Sequence, residues 1–154
     1  MLRQIHVYDL DGVLVDTSHR YRNKPDGTID LDYWFANRYK LDADTLLPLA
    51  KQYRADCANP EIYTVVCTAR VYDARDVRFI NSRIGKPNKL IMRPRGNMEG
   101  DAILKRRALQ RIFNLRQFAR LPRRFWDDNP RNLNACRDLF SQVFYVPSKI
   151  TETI

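Results

Sequence analysis

Short apolar runs alternate with amphipathic stretches along the chain, and the alternation sets its predicted elements. Gln4 to Leu10 alternates, is rich in β-formers and runs into acidic residues, which predicts a first strand. Positions 18–40 are polar and aromatic, with a turn expected at Lys24-Pro25-Asp26-Gly27. Asp44 to Tyr53 reads as a helix, with Asp44 as N-cap and Pro48 within the first turn. Glu61 to Cys67 predicts a second strand, followed at once by Thr68-Ala69-Arg70. A helix is expected over Arg75–Ile84, a short strand over Lys89–Met92 and a strong helix over Asp101–Phe113. Arg124-Phe125-Trp126 leads as a strand into Asp127-Asp128-Asn129. A helix over Asn132–Phe140 and a last strand over Val143–Val146 complete the pattern.

Strands alternating with helices imply an α/β fold, a parallel sheet covered by helices on both faces. Ligands in such sheets bind beyond the carboxyl ends of the strands. Asp9, Thr68 and Asp127 each stand at the end of a predicted strand, so three residues distant in sequence converge on one edge. No repeats, low-complexity tracts or linkers interrupt the chain, and its 154 residues suit a single domain over 1–154.

Composition narrows the classes. A hydrophobic fraction of 44% belongs to a globular protein rather than a disordered one. No apolar run reaches the ~20 residues that span a bilayer, and the amino terminus lacks a signal-peptide core, so a cytoplasmic location is expected. Cys57, Cys67 and Cys136 form no CxxC pair, and reduced, buried thiols are the reading. His6 and His19 have no partner at ligand spacing, and His6 in a strand reads as a packed residue. Charge changes the picture most. The net charge is +9, and between Arg78 and Arg131 fifteen Lys and Arg residues face four acids. Such a surface attracts polyanions; a solvated face that serves solubility is the plainer alternative.

The chemistry begins at Asp9-Leu10-Asp11-Gly12. Two carboxylates two residues apart share one face of a continuing strand, which suits a metal and a nucleophile–acid pair, and Gly12 lets the chain turn. Alone, this string equally fits an ordinary Asp-Gly turn. Together with Leu14, Asp16, Thr68, Lys105 and Asp127-Asp128, in that order over almost the whole chain, it resembles the haloacid dehalogenase (HAD) superfamily of phosphatases. The resemblance implies a Rossmann-like core, Mg2+ as cofactor and an aspartyl-phosphate formed on Asp9. Asp11 would then be general acid and base, and Thr68 and Lys105 would bind the phosphoryl oxygens. Asp9, the backbone carbonyl of Asp11, and Asp127 or Asp128 would hold the metal. Lys86 and Lys89 compete for the role of Lys105. We prefer Lys105, which lies one turn after Asp101 on the same helical face, where an ion bridge can form.

A narrower resemblance is carried by Arg20, Thr68-Ala69-Arg70 and Gly100-Asp101 through Lys105. These look like the phosphatase half of phage-type polynucleotide kinase/phosphatases, which removes 3′-phosphates from nucleic-acid ends. It implies that Arg20 and Arg70 bind the phosphate or its neighbour, with Asp101 also in the substrate site. No G-x-x-x-x-G-K-[ST] string is present, so no kinase half is expected. Only positions 12 to 67 separate Asp11 from Thr68, which leaves room for a small cap or none and an open site. Tyr21, Tyr33, Trp34, Phe35 and Tyr39 fall in this insert; they read first as the packed face of a helix and second as a stacking platform.

The expected function is therefore a Mg2+-dependent phosphomonoesterase acting on nucleic acid, DNA or RNA, with a terminal phosphate. Free nucleotides or other small monoesters are the alternative substrate. A non-catalytic nucleic-acid-binding module is the alternative class, and the intact Asp9–Asp11 pair speaks against it. No protein partner is indicated.

Overall fold

β1 (Gln4–Tyr8) lies at the centre of the molecule because its residues are apolar enough to be covered on both faces, and Ile5, Val7 and Tyr8 are fully buried. The structure is a computed structural model and describes residues 1–147; the last part of the expected 1–154 domain lies outside the described residues. Beside β1 run β4 (Ile62–Val71) on one side and β6 (Arg123–Asp127) on the other. β5 (Lys89–Arg93) and β7 (Gln142–Tyr145) form the edges, giving the parallel order β5-β4-β1-β6-β7. From β1 the chain first builds outward through β4 and β5, then returns to add β6 and β7. The order therefore reverses at β1, and a crevice opens between the carboxyl ends of β4, β1 and β6.

Alternate side chains feed two layers. Val7, Val65 and Phe125 face α4 (Asp101–Phe113) and α5 (Pro130–Cys136), packing with Leu109, Ile112 and Leu133. Tyr8, Val66 and Trp126 face α2 (Ala50–Ala58) and α3 (Ala74–Phe79), packing with Tyr53, Phe79 and Ile80. Tyr8 stacks on Trp126 at 4.7 Å between centroids, and its hydroxyl donates to Asp56, which also pairs with His6 Nδ1 at 2.7 Å. His6 is thus packed and satisfied, as expected. Cys67 and Cys136 are buried free thiols, held neutral because burial pushes them up to about 12 and about 11; Cys57 is only half-buried.

Three boundaries differ from expectation. The helix expected at Asp44 begins instead at Ala50, because Thr45-Leu46 (β3) pairs antiparallel with Val15-Asp16 (β2) and the Asp44 carboxylate serves arginine rather than a helix terminus. β4 runs on through Thr68-Ala69-Arg70, with a register shift against β5 between Cys67 and Val71. The last helix starts at Pro130, capped by the Asn129 side chain on Arg131 N at 2.9 Å, and gives way after Cys136 to a 3-10 turn. The turn at Lys24–Gly27 forms as expected. Between β2 and β3 lies the small cap, whose helix α1 (Leu31–Ala36) buries none of its residues fully. Among the described residues no helix is long and apolar enough to cross a membrane.

Candidate active site

The carboxyl ends of β1 and β6 bring Asp9 and Asp127 together, and α4 places Lys105 between them. Lys105 Nζ donates to Asp9 Oδ1 at 2.7 Å and to Asp127 Oδ2 at 2.8 Å, with all three groups buried. Lys105 reaches this position because it lies in the buried stripe of α4, one turn before Leu109. Asp127 is fixed further by Asn129 N at 2.8 Å and Asn132 Nδ2 at 3.1 Å. Asp128 joins the cluster: oxygen atoms of Asp9, Asp127 and Asp128 lie within 4.8 Å of one another. Asp9 and Asp127 thus share one ammonium, with the Asp128 carboxylate close by. Burial works against the charge of Lys105, but Asp9 and Asp127 offset it and hold the ammonium protonated. The shortfall falls on Asp9, whose carboxyl burial and then Asp127 push well above the usual range, although Lys105 draws it back. An all-oxygen donor set with excess negative charge fits a hard divalent cation such as Mg2+.

Asp11 is held by a different cation. β1 ends at Tyr8, and the chain turns through Gly12 at φ 78°, so Asp9 and Asp11 do not share the face of a continuing strand. Asp11 turns to Arg70, which grips both carboxylate oxygens, Nε at 2.9 Å and Nη2 at 2.6 Å. Arg70 Nη1 donates to Asp76 at 3.0 Å, so its guanidinium is engaged on all sides. Burial would lower the charge of Arg70, yet Asp11 above all keeps it raised. Thr68 is buried beside it and its hydroxyl accepts from Arg70 N at 3.2 Å.

Arg20 makes a second buried bidentate pair, donating through Nε and Nη2 to Asp44, each at 2.8 Å. His19 Nε2 meets the same carboxylate at 2.7 Å. The Trp34 ring lies over both arginines, its centroid 4.3 Å from Arg20 Cζ and 5.3 Å from Arg70 Cζ. The aromatic segment therefore covers an arginine–carboxylate network and is not the packed face of a helix. Asp44 anchors that network. Asp44→Ala should lower stability by about 3–5 kcal/mol, because it leaves the fully buried Arg20 uncompensated; a thermal melt should fall by about 6–20 °C.

The expected ion bridge between Asp101 and Lys105 is absent. Asp101 is exposed and accepts from Arg93 Nη2 at 2.7 Å, while Lys105 points into the core. Arg93 also donates to Ala69 O at 3.0 Å and Glu99 O at 2.6 Å, so it ties the end of β4 to the start of α4. Asp101 thus meets the end of β4 only through Arg93. About a third of the basic stretch is committed in the same way. Arg106 pairs with Asp138 and Arg107 with Glu99, while Arg123 donates to the carbonyls of Phe118 and Leu139.

Asp44, Asp76, Arg93 and Asn132 escaped the sequence reading. For Lys105 the available signal was its place in an apolar stripe, a stronger one than its spacing from Asp101. For Asn132 it was the first turn of a helix opened by Asn129-Pro130. Asp44, Asp76 and Arg93 carry no local signal, since their partners come from other elements.

A sheet of this order, with strand-end carboxylates around a buried lysine, has the HAD fold. Solved structures agree. A chain of the Pnkp1/Rnl/Hen1 RNA repair complex matches with TM-score 0.68 at 21% identity, over 94% of this chain and 42% of that chain. The HAD domain of effector protein Lem4 from Legionella pneumophila matches with TM-score 0.54 at 17% identity, over 98% and 91%. At such identities the likeness is one of fold. In sequence, residues 1–127 match the family model of the bacteriophage T5 5′-deoxynucleotidase, and the chain belongs to that family. The 5′-deoxynucleotidase of Escherichia phage T5 is 28% identical over 90 residues, which are 53% of this chain and 36% of that protein. The chain thus spans about a third of the curated relative it matches.

Proposed function

We propose that this chain is a Mg2+-dependent phosphatase of nucleotides, with deoxynucleoside 5′-monophosphates as first substrates. The observation that carries the reading is the Asp9–Lys105–Asp127 cluster at the sheet's switch point, with Asp11 held beside it. Asp9, Asp127, Asp128 and the backbone carbonyl of Asp11 would hold Mg2+, which when bound offsets the charge of the phosphate and the carboxylates. Asp9 attacks phosphorus and the ester oxygen leaves with a proton from Asp11. Asp11 then takes a proton from the water that displaces Asp9, releasing inorganic phosphate. Thr68 and Lys105 donate to the phosphoryl oxygens. The two-point grip of Arg70 suits the ionised Asp11 that takes the proton from water. When Asp11 carries the proton to be given to the ester oxygen, it keeps one oxygen on Arg70 and frees the other.

Family membership supports nucleotides over polynucleotide ends, and so does the commitment of Arg20, Arg70, Arg106, Arg107 and Arg123 to internal partners. The second reading, a polynucleotide 3′-phosphatase, is favoured by the fold of the RNA repair complex chain and by the net charge of +9. A substrate panel decides between them. Deoxynucleoside 5′-monophosphates should give the highest kcat/KM; a higher value on a 3′-phosphorylated oligonucleotide, shrinking as salt rises, would favour the second reading. In the same assay EDTA should abolish turnover and Mg2+ restore it, with Ca2+ restoring less because its looser shell misplaces the nucleophile. Full activity in a chelated sample would rule the metal out.

A further inference from the structure

Beyond Asp11, on the side facing the cap, the surface dips into a shallow recess lined by Arg20, Trp34, Phe35, Arg38, Arg70 and Asp76. We propose that this recess seats the base of the leaving nucleoside, with Phe35 and Trp34 beside the ring and Arg38 Nε donating to a ring acceptor. The inference rests on the nucleotide phosphatase reading.

Position comes first. Asp11 gives its proton to the leaving oxygen, so the leaving group lies on the Asp11 side of the phosphate. On that side Arg70 lies 2.6 Å from Asp11, and the Trp34 ring covers Arg70. Chemistry agrees. Phe35 is 44% exposed although large and apolar, and Arg38 Cζ lies 5.4 Å from its ring centroid. Arg38 lines the recess, and its Nε is shielded from solvent and makes no hydrogen bond, which leaves it a donor without an acceptor.

Charge separates a base from a second phosphate. Four guanidinium groups, Arg20, Arg38, Arg70 and Arg75, face four carboxylates, Asp11, Asp44, Asp73 and Asp76. Such a surface holds no surplus positive charge for another phosphate. It suits a neutral, flat ring that carries a carbonyl or ring-nitrogen acceptor.

The test compares a deoxynucleoside 5′-monophosphate with 2-deoxyribose 5-phosphate, which keeps the reacting group and the sugar but lacks the base. Wild type with Mg2+ should prefer the nucleotide by about tenfold or more in kcat/KM, the scale of one stacked base. Phe35→Ala and Arg38→Met, both at partly exposed positions, should each cut that ratio several-fold, with the nucleotide's KM rising and circular dichroism unchanged. Equal losses on both substrates, or an unchanged ratio, would overturn the proposal. So would an Arg38→Met defect confined to a 3′-phosphorylated oligonucleotide, which would make Arg38 a backbone contact. Calorimetry on Asp9→Asn with Mg2+ separates the two readings if wild type hydrolyses neither compound. Tighter binding of the nucleotide than of the sugar phosphate, weakened by Phe35→Ala, supports the recess even as the phosphatase reading fails. Equal binding of both sinks the recess.

Discussion

Asp9→Asn should lose turnover by roughly three orders of magnitude or more, while the protein stays folded. The amide has the size of the carboxylate but is no nucleophile, and no other carboxylate takes its place. Asp127 is pinned by Lys105, Asn129 and Asn132, and Asp11 is gripped by Arg70. The fold should survive for an electrostatic reason. Burial and the charge of Asp127 hold the Asp9 carboxyl well above its usual range, so its ionised form is unfavourable in the folded protein. Removing that charge relieves repulsion, and the metal-free melting temperature should stay level or rise. Steady-state assays and a thermal melt read the two effects. Substantial turnover in a well-folded Asp9→Asn would end the aspartyl-phosphate mechanism, and a large fall in melting temperature would contradict the account of the cluster.

Lys105→Met carries the second large effect, and it strikes activity and stability together. The methionine fills much of the lysine's volume but leaves Asp9 and Asp127 facing one another without the ammonium that joins them. Breaking a buried pair by removing one partner costs about 3–5 kcal/mol, and protonation of a carboxylate relieves only part of that. The metal-free melting temperature should fall by about 6–20 °C, and turnover should drop by about two orders of magnitude or more for want of the ammonium on the phosphoryl oxygens. Mg2+ gives the distinguishing readout. A cation that binds the folded state stabilises it in proportion to its affinity, and the variant's uncompensated carboxylates bind it more tightly. Added Mg2+ should therefore raise the melting temperature of Lys105→Met more than that of wild type. An equal rise in both proteins would mean that the three carboxylates are not the metal site.

The sheet was legible because burial on two faces leaves a mark in sequence. β1, β5, β6 and α4 fall within a residue or two of their expected limits, since their apolar positions repeat with the period of the element. The segment around Asp44 was misread for the opposite reason. An acidic residue before Leu46-Leu47 looks like a helix cap, and only the arrival of Arg20, 24 residues earlier, turns its carboxylate inward. Asp101 and Lys105 failed as a pair because spacing along a helix says which side chains are near, not which one the core takes in.

What the sequence by itself determined is the set of chemical groups and two of the strand ends that carry them: Asp9 and Asp127 close the apolar runs of β1 and β6, and chain topology must bring such ends to one edge. Thr68 instead lies inside β4, which runs on to Val71. What only the tertiary structure decided is how the charges divide among themselves. Asp9 and Asp127 fall to Lys105, Asp11 to Arg70, Asp44 to Arg20 and Asp101 to Arg93. Each choice is made by two elements packed side by side, where a buried charge must find a counter-charge within hydrogen-bond reach. That requirement acts through space, and neither partner records it in its own neighbourhood of the chain.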